Sequence, residues 1–368
     1  MKHIDEYRDK QLVEILIRQI RDEVTRKWTI MEICGGQTHA IMKYSLQDLL
    51  PEEISLIHGP GCPVCVTPVE FIDQAVELGG FPNVILTSFG DMMRVPGSHT
   101  DLLSVRAKGG DIRIVYSPLD AIDIALSNPG REVVFFAVGF ETTAPAVALA
   151  ISQAHKRKLA NFSVLISHVL VPPAIEVLLT SENNRIEGFL AAGHVCTVMG
   201  THEYIPLSER YKIPIVVTGF EPVDILLGIQ KTINMLENDR YGVENAYPRS
   251  VKPEGNIAAQ DLLNEVFVSC DRKWRGIGTI PKSGFRLADD YTRFDAGKRF
   301  KLHHIVAEES EICISGMILT GQKRPSDCPA FGAECRPEKP LGAPMVSSEG
   351  ACSAYYRYKA KLEWPETS

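Results

Sequence analysis

The stretch T-I-M-E-I-C-G-G-Q-T-H, residues 29–39, is the unit on which the predicted fold is built. Residues 29–33 form a short apolar run of the kind that makes a buried strand of a parallel sheet. Gly35 and Gly36 then let the chain turn into a helix. The unit places Cys34 at the carboxyl end of a strand, and it predicts an α/β fold.

Similar apolar runs recur along the chain, separated by stretches that are able to form helices. They fall at residues 29–33, 54–58, 84–87 and 112–116, and the rhythm restarts at 132–138, 163–167, 194–198 and 213–218. The sequences G-F-E-T-T at 139–143 and G-F-E-P at 219–222 each follow one run of the second set. The pattern predicts two α/β domains in tandem with parallel sheets, at residues 29–130 and 131–238.

The two ends of the chain do not follow this rhythm. Residues 1–28 mix charges with apolar side chains at helical spacing, which predicts an amphipathic N-terminal helix. After residue 238 the sequence becomes rich in Tyr, Arg, Gly and Pro. We predict that residues 239–368 form a C-terminal domain that carries a cofactor and packs with the N-terminal helix.

Four cysteines with the spacing C-x14-C-x6-C-x16-C support a cofactor in that last domain. They are Cys313, Cys328, Cys335 and Cys352, called here the C-terminal cysteines. The surrounding sequence is rich in Gly, Pro and Lys and offers little apolar material for a core. Thiolates in turn-prone loops are typical of an iron–sulfur cluster or of zinc, and the residues alone leave both open.

The composition argues against a nucleic-acid-binding protein and against a membrane protein. The net charge of -7 argues against binding to the phosphate backbone of nucleic acid. No apolar run approaches the ~18 residues that cross a bilayer, and the charged N-terminus is unlike a signal peptide. We therefore expect a cytoplasmic protein with no membrane or nucleic-acid partner. In a reducing compartment, clustered members of its nine cysteines point to metal or redox chemistry.

Cys34 is the first candidate for that chemistry. A thiol at the start of a helix sees unpaired backbone N–H groups and the positive end of the helix dipole, which favours its thiolate. It would then serve as a nucleophile or a soft-metal ligand, although a buried cysteine in a tight turn is an equally common outcome. His39, just over one helical turn further, is a candidate proton carrier or second ligand, or else a capping histidine. The spacing of His168, His194 and His202 indicates no metal site.

The sequence G-P-G-C-P-V-C at residues 59–65 contains a C-x-x-C pair after the second predicted strand. Cys62 and Cys65 could form a disulfide or share a metal. Half of a structural zinc site is the alternative, but the chain has no second C-x-x-C, so redox or catalytic use is favoured. Cys196 and Cys270 stand alone in apolar surroundings and are predicted to be core residues.

Two carboxylates follow predicted strands in the same way, Asp91 in S-F-G-D-M and Glu141 in G-F-E-T-T. Groups at the carboxyl ends of parallel strands line one crevice, where ligands bind. We therefore predict that both carboxylates and the three thiols of the first domain face one another across a cleft between the two α/β domains. For Glu141 taken alone, a surface position in the first turn of a helix is the alternative.

Four motifs, taken in order, resemble the HypD family of hydrogenase maturation factors. They are C-G-G-Q-T-H at 34–39, G-P-G-C-P-V-C at 59–65, G-F-E-T-T at 139–143 and M-V-S-S-E-G-A-C at 345–352. With the spacing of the C-terminal cysteines, the resemblance covers essentially the full length. One departure is A-A-G-H-V-C at 191–196, where the family leads us to expect a sequence of the type P-G-H-V-S.

The resemblance implies a scaffold on which an iron ion receives two cyanides and one carbon monoxide for NiFe hydrogenases. It implies that the small chaperone HypC is the partner and that the iron lies between a HypC cysteine and Cys34. Cyanide would come from HypE, which receives carbamoyl from HypF, and the C-terminal cysteines would carry a 4Fe-4S cluster. Cys62 and Cys65 would cycle between dithiol and disulfide, while Glu141, Asp91 and His39 would hold the partner's cysteine, position ligands or move protons.

Two other functions stay open at this stage. A cluster-dependent thiol-disulfide reductase would use Cys62 and Cys65 on a protein substrate and hold no iron cargo. A purely structural adaptor would bind zinc at the C-terminal cysteines and be colourless.

Overall fold

A computed structural model describes residues 5–307 and 309–358 of the chain. The strands are β1 (Trp28–Glu32), β2 (Ile54–His58), β3 (Val84–Ser88), β4 (Ile112–Ile114), β5 (Glu132–Gly139), β6 (Phe162–His168), β7 (Gly188–Ala192), β8 (Pro214–Thr218), β9 (Gly242–Asn245), β10 (Phe267–Trp274) and β11 (Gly278–Leu287). The longer helices are α1 (Lys10–Glu23), α2 (Gly35–Lys43), α3 (Leu46–Leu49), α4 (Pro63–Val66), α5 (Val69–Gly80), α6 (Leu102–Ala107), α7 (Pro118–Ser127) and α8 (Ala144–Lys156). They continue with α9 (Val171–Leu179), α10 (Gly193–Met199), α11 (Ile205–Tyr211), α12 (Pro222–Glu237), α13 (Ile257–Val266), α14 (Ala296–Arg299), α15 (Ser315–Leu319) and α16 (Ala351–Tyr358). Among these described helices, none is long and apolar enough to cross a bilayer.

Two parallel sheets form the body of the protein, which confirms the predicted α/β class. The first sheet has the strand order β2-β1-β7-β8-β9, and the second has the order β4-β3-β5-β6. Strands β10 and β11 form a separate antiparallel hairpin. Buried apolar side chains fill the strands of both sheets on either face, as expected for parallel strands covered by helices.

The two sheets are not formed by two consecutive stretches of the chain, as the predicted tandem domains require. After β1 and β2 the chain leaves the first sheet, builds the whole of the second, and returns at β7. The predicted boundary at residues 130 and 131 therefore falls between β4 and β5 of a single sheet. Crossover connections between parallel strands can be long, so the order of strand-like runs does not determine which strands pair.

Most strand predictions agree with the structure to within a few residues, and residues 54–58 coincide with β2. The prediction of a strand at residues 194–198 is wrong, because these residues lie in α10. The strand of this unit, β7, lies just before it at Gly188–Ala192. A short apolar run has no periodicity that separates a buried strand from one buried helical turn.

Helix α1 packs on α12 and not on the predicted C-terminal domain, although Tyr7, just before it, stacks on Arg249 of that region. The apolar face of α1, with Ile20 fully buried, lies against Ile229 and Ile233 of α12. Arg8, just before α1, adds an ion pair with Glu221 at the start of α12. An amphipathic helix needs an apolar partner surface, which α12 supplies and the Gly/Pro-rich C-terminal sequence does not.

Residues 239–307 also do not form a separate domain with the C-terminal cysteines. Strand β9 completes the first sheet, and the hairpin packs through Phe267 and Phe285 into the core around α8 and the second sheet. Residues 313–352, called here the C-terminal cysteine segment, form a small apolar cluster of their own with Ile318 and Met345. This segment is tied to the first sheet by α16, which packs against α2.

Candidate functional site

Three motifs that are distant in sequence meet at Cys34. This residue follows β1, caps the N-terminus of α2, and is 1% exposed. A Cβ added to Gly61 would lie 2.3 Å from the backbone nitrogen of Cys34, and one added to Gly35 would lie 2.5 Å from Glu349 Cβ. Glycine is needed at both positions because the C-G-G, G-P-G-C and S-S-E-G backbones approach too closely for a side chain.

A histidine that the sequence analysis set aside lies beside the Cys34 sulfur. His194, in the first turn of α10, places Nδ1 3.6 Å from Cys34 Sγ. Its ring packs on Phe220 with centroids 5.1 Å apart, and Phe220 comes from the second G-F-E sequence. Burial lowers the pKa of His194 to about 4, so the ring is neutral near pH 7. The G-H pair after β7 was the available signal, but no spacing linked it to Cys34.

The expectation that the helix N-terminus favours the Cys34 thiolate is not met in this structure. Burial, and next the charge of Glu349, raise the pKa of the thiol. Hydrogen bonds from the backbone N–H groups of Gln37 and Gly36 act in the predicted direction but are outweighed. Cys34 is therefore a protonated thiol at neutral pH, and a metal that binds it must displace the proton.

Cys62 and Cys65 form a disulfide with their Cα atoms 5.2 Å apart, across the short helix α4. Both are buried in the apolar cluster that contains Cys34, together with Phe140 and Trp274. Phe140 follows β5 of the second sheet. The carboxyl ends of strands from both sheets thus meet around this cysteine pair, as predicted for the crevice of a parallel sheet.

Glu141 is fully buried, so its alternative placement on the surface is wrong. The Val171 N–H donates to Oε1 at 2.8 Å, while Oε2 has no hydrogen-bond partner among the described residues. Burial raises the pKa of Glu141 to about 8. Cys196 lies near enough for the charge of Glu141 to raise its pKa further, after burial. Cys196 is a core residue as predicted, whereas Cys270 is only partly buried.

Asp91 is exposed in the turn that follows β3. It lies close to Glu349, whose pKa is raised first by burial and then by the charge of Asp91. The Glu349 side chain is exposed to solvent. Glu349 also raises the pKa of the Cys34 thiol, so this carboxylate lies near both Asp91 and Cys34. Of the two carboxylates, only Asp91 was singled out from the sequence.

His39 faces the C-terminal cysteine segment. Its Nδ1 lies 3.1 Å from the carbonyl oxygen of Ser348, and its Nε2 lies 3.3 Å from the hydroxyl of Tyr358. Ser348 belongs to that segment, whereas Tyr358 lies just beyond it at the end of α16. The structure places His194, rather than His39, beside the Cys34 sulfur.

A buried hydrogen-bonded network that the sequence analysis missed supports the Cys34 backbone. Glu32, which is 0% exposed in the middle of an apolar strand, accepts from the Cys34 N–H at 3.0 Å. Its other oxygen meets His58 Nδ1 at 2.6 Å and the Thr38 hydroxyl. His58 Nε2 lies 3.2 Å from the hydroxyl of Tyr355. A charged residue inside an apolar run was the available signal, since buried charges need partners.

The C-terminal cysteines lie near one another. The pKa of Cys352 is raised by burial and then by the charges of the other three, and that of Cys335 is raised by burial and by two of them. The Leu341 N–H donates to Cys335 Sγ at 3.3 Å, and a Cβ on Gly342 would lie 2.5 Å from Cys313 Sγ. Within the described residues, no group of three or more His, Cys, Asp or Glu is arranged to hold a single metal ion. Thiols near enough to raise the pKa of Cys335 and Cys352, an N–H donor to sulfur and a glycine cradle fit a four-thiolate cluster.

The fold and the site together define an α/β protein in which loops from two parallel sheets and a cysteine-rich C-terminal segment enclose a buried thiol. The family model HypD, described as the hydrogenase formation hypA family, matches residues 11–359. The chain is 46% identical to hydrogenase maturation factor HypD2 of Bradyrhizobium diazoefficiens, over 97% of this chain and 97% of the relative. It is 45% identical to HypD of Escherichia coli K12, over 98% of each. The chain belongs to the HypD family of hydrogenase maturation factors.

Proposed function

We propose that this protein is the scaffold and redox protein on which the iron-dicyanide-carbonyl centre of NiFe hydrogenases is assembled. It acts in the cytoplasm with HypC and receives cyanide by way of HypE, with HypF upstream. The observation that carries the proposal is the convergence of three motifs on Cys34, which leaves one thiol, one neutral imidazole and one carboxylate around a single point.

The cargo iron is the substrate, and Cys34 is its proposed ligand. A thiolate is a soft ligand, and cyanide and carbon monoxide are strong-field ligands that suit the same low-spin iron. Iron binding has to remove the thiol proton, since iron binds the thiolate, and the His194 ring lies beside the sulfur with Nδ1 at 3.6 Å. Cys34 is almost fully buried, and the side of the exposed Glu349 and Asp91 is the proposed approach for the iron and for its second thiolate, from HypC.

The C-terminal cysteines are proposed to hold a resident 4Fe-4S cluster. Their closeness, the Leu341 N–H at Cys335 and the tight approach of Gly342 to Cys313 support this assignment. When bound, such a cluster supplies single electrons.

Cys62 and Cys65 are proposed to be the redox pair. Their disulfide takes up two electrons and two protons when it opens to two thiols, and it returns both when it closes. The Cα separation of 5.2 Å suits the bond without movement of the backbone. Burial beside Cys34 in one apolar cluster excludes bulk solvent and couples the pair to the cargo site.

The three remaining candidates take different roles in this proposal. Glu141, with a pKa of about 8, is protonated at pH 7 and offers a buried proton near the ends of both sheets. Asp91 is exposed beside Glu349, on the side from which HypC would bring its cysteine. His39 positions α2 against the C-terminal cysteine segment.

Infrared spectroscopy of the protein purified anaerobically with HypC tests the proposal. We expect bands in the cyanide and carbon monoxide stretching region together with the brown colour of an iron–sulfur cluster. A brown complex without such bands would instead support the thiol-disulfide reductase, the alternative that the Cys62–Cys65 disulfide favours. A colourless protein with stoichiometric zinc would contradict both.

A further inference from the structure

Helix α16 connects the C-terminal cysteines to both cysteine motifs of the first sheet. Cys352, Tyr355 and Tyr358 occur at intervals of three residues, which places them on one side of the helix. Cys352 lies in the small apolar cluster of the C-terminal cysteine segment. The two tyrosines, further along the helix, contact histidines of β2 and α2.

The two tyrosine–histidine pairs have nearly the same geometry. The rings of Tyr355 and His58 meet edge to face with centroids 5.4 Å apart, and those of Tyr358 and His39 meet likewise at 5.3 Å. Each pair also brings the tyrosine hydroxyl within hydrogen-bond distance of Nε2, at 3.2 Å and 3.3 Å. A favourable ring contact combined with a hydrogen bond gives each pair a defined orientation.

Both histidines belong to elements that hold the reactive cysteines. His58 ends β2, directly before the G-P-G-C turn, and His39 lies on α2, which begins at Cys34. A carboxylate only accepts hydrogen bonds, so His58 Nδ1 donates to Glu32 and its Nε2 accepts from the Tyr355 hydroxyl. Glu32 in turn accepts from the Cys34 N–H. A continuous chain of hydrogen bonds therefore runs from α16 to the Cys34 backbone.

We propose that Tyr355 and Tyr358 are positioning residues that make the geometry of the Cys34 loop depend on the occupancy of the C-terminal cysteines. Helix α16 has eight residues, and a helix this short is marginal unless its ends are held. A cluster bound through Cys352 holds its first turn, and the tyrosines then hold His58 and His39. The inference rests on the proposed function, since it presumes the cluster.

Hydrogen exchange at the Cys34 amide tests this coupling without any iron cargo. In the full-length protein with its cluster we expect slow exchange, and about tenfold faster exchange after the cluster is removed, as the loss of one hydrogen bond implies. Tyr355→Phe keeps the ring but removes the hydroxyl, so its Cys34 amide should exchange fast in both states. Tyr356→Phe is the matched control, because Tyr356 packs on Phe331 on another side of α16 and should leave the wild-type response intact.

His58→Asn tests whether the effect of Tyr355→Phe is transmitted through His58. Asparagine can retain the bond to Glu32 while losing the reach to Tyr355, so this variant should behave like Tyr355→Phe, and the double variant should be no worse than either single one. With the cluster content of all variants equal to wild type, the infrared bands of the cargo should fall several-fold in Tyr355→Phe and less in Tyr358→Phe.

The outcomes separate the inference from the proposed function. If Tyr355→Phe kept the wild-type response of Cys34 exchange to the cluster, or if its bands stayed at full intensity, the inference would be overturned. If the wild-type protein with its cluster showed no cargo bands, the proposed function would fail, while the exchange response would still decide the coupling.

Discussion

The Cys34 site and the C-terminal cysteine segment both present cysteines, but they hold them by different means. Cys34 lies in a large buried core that includes Phe189 and Ile215 of the first sheet and Trp274 of the hairpin. The C-terminal cysteine segment has only a small cluster, in which Cys335 and Cys352 are themselves core members. The first site is preorganised by the backbone, whereas the second needs its cysteines to complete its core.

The thiols of the two regions also differ electrostatically. Burial raises the pKa of Cys34 and of Cys352, but only Cys352 is additionally raised by three neighbouring thiols. Four thiolates held close together repel one another, so their ionisation needs a bound cation centre. A metal centre should therefore matter for the stability of the second region and much less for that of the first.

The change with the largest expected effect is Cys328→Ala. Loss of one cluster ligand should abolish the visible absorption and let the C-terminal cysteine segment unfold well below the rest of the protein, because its core is too small to stand alone. Absorption spectra and calorimetry measure both effects. Cys270→Ala, at a partly buried cysteine outside this segment, is the control and should leave the colour unchanged. Retained colour in Cys328→Ala would mean that the ligands are assigned wrongly.

Cys34→Ala should affect the cargo site and leave the C-terminal cysteine segment unchanged. Because the first site is built by the backbone, removal of one sulfur should leave the fold and the brown chromophore intact while the cyanide and carbon monoxide bands disappear. Infrared and visible spectra of the same sample provide the measurement. If the chromophore were lost as well, Cys34 would belong to the cluster and the division into two regions would fail.

Cys62→Ser should remove a redox transition and leave the architecture in place. Thiol trapping at graded redox potentials should show two wild-type thiols disappearing together, and the variant should lack this step. Maturation of a NiFe hydrogenase should stop, while binding to HypC continues. Full maturation by the variant would reduce the pair to a packing role in a tight turn.

Glu141→Gln should have the smallest effect, visible as a change in pH dependence. The folded-state pKa of about 8 lies above the ordinary value of 4.5, so the folded protein binds this proton more tightly than the unfolded chain does. The contribution to the free energy of unfolding is full below about pH 4.5 and is lost as pH rises to about 8, by roughly 1.4 kcal/mol per unit.

Denaturant unfolding across this pH range, compared between wild type and Glu141→Gln, measures that slope. The difference between the two proteins should grow steadily between pH 5 and 8 and then level off. Glu182→Gln, at an exposed position, is the matched control. Parallel curves for wild type and Glu141→Gln would contradict the burial of an ionisable carboxyl group at this position.

The pattern of neighbouring residues was enough to predict individual strands and the turn that follows a strand. The apolar run at residues 54–58, and the placement of Cys34 between a strand and a helix, follow from short-range preferences and agree with β2 and α2. The assignment of strands to sheets does not follow from short-range preferences. Strand β1 pairs with β7, which comes after all four strands of the second sheet. Pairing of that kind depends on the packing of the whole chain.

The same distinction explains the site. Cys34, Cys62 and Glu141 were predicted at strand ends because each follows its strand within a few residues. His194 was not linked to Cys34, since their contact joins residues 160 positions apart. The raised pKa of the Cys34 thiol was also missed, because burial is a property of the folded core and here outweighs the local effect of the helix N-terminus.

The central claim is that two regions hold iron separately, the resident cluster in one and the cargo in the other. Mössbauer spectroscopy of the anaerobic complex with HypC, followed by that of Cys34→Ala, tests it most directly. We predict two iron environments in a ratio of about four to one, as a 4Fe-4S cluster and a single low-spin iron require. Only the minor environment should vanish in Cys34→Ala. A single environment in the wild-type complex, or loss of both in the variant, would contradict the account.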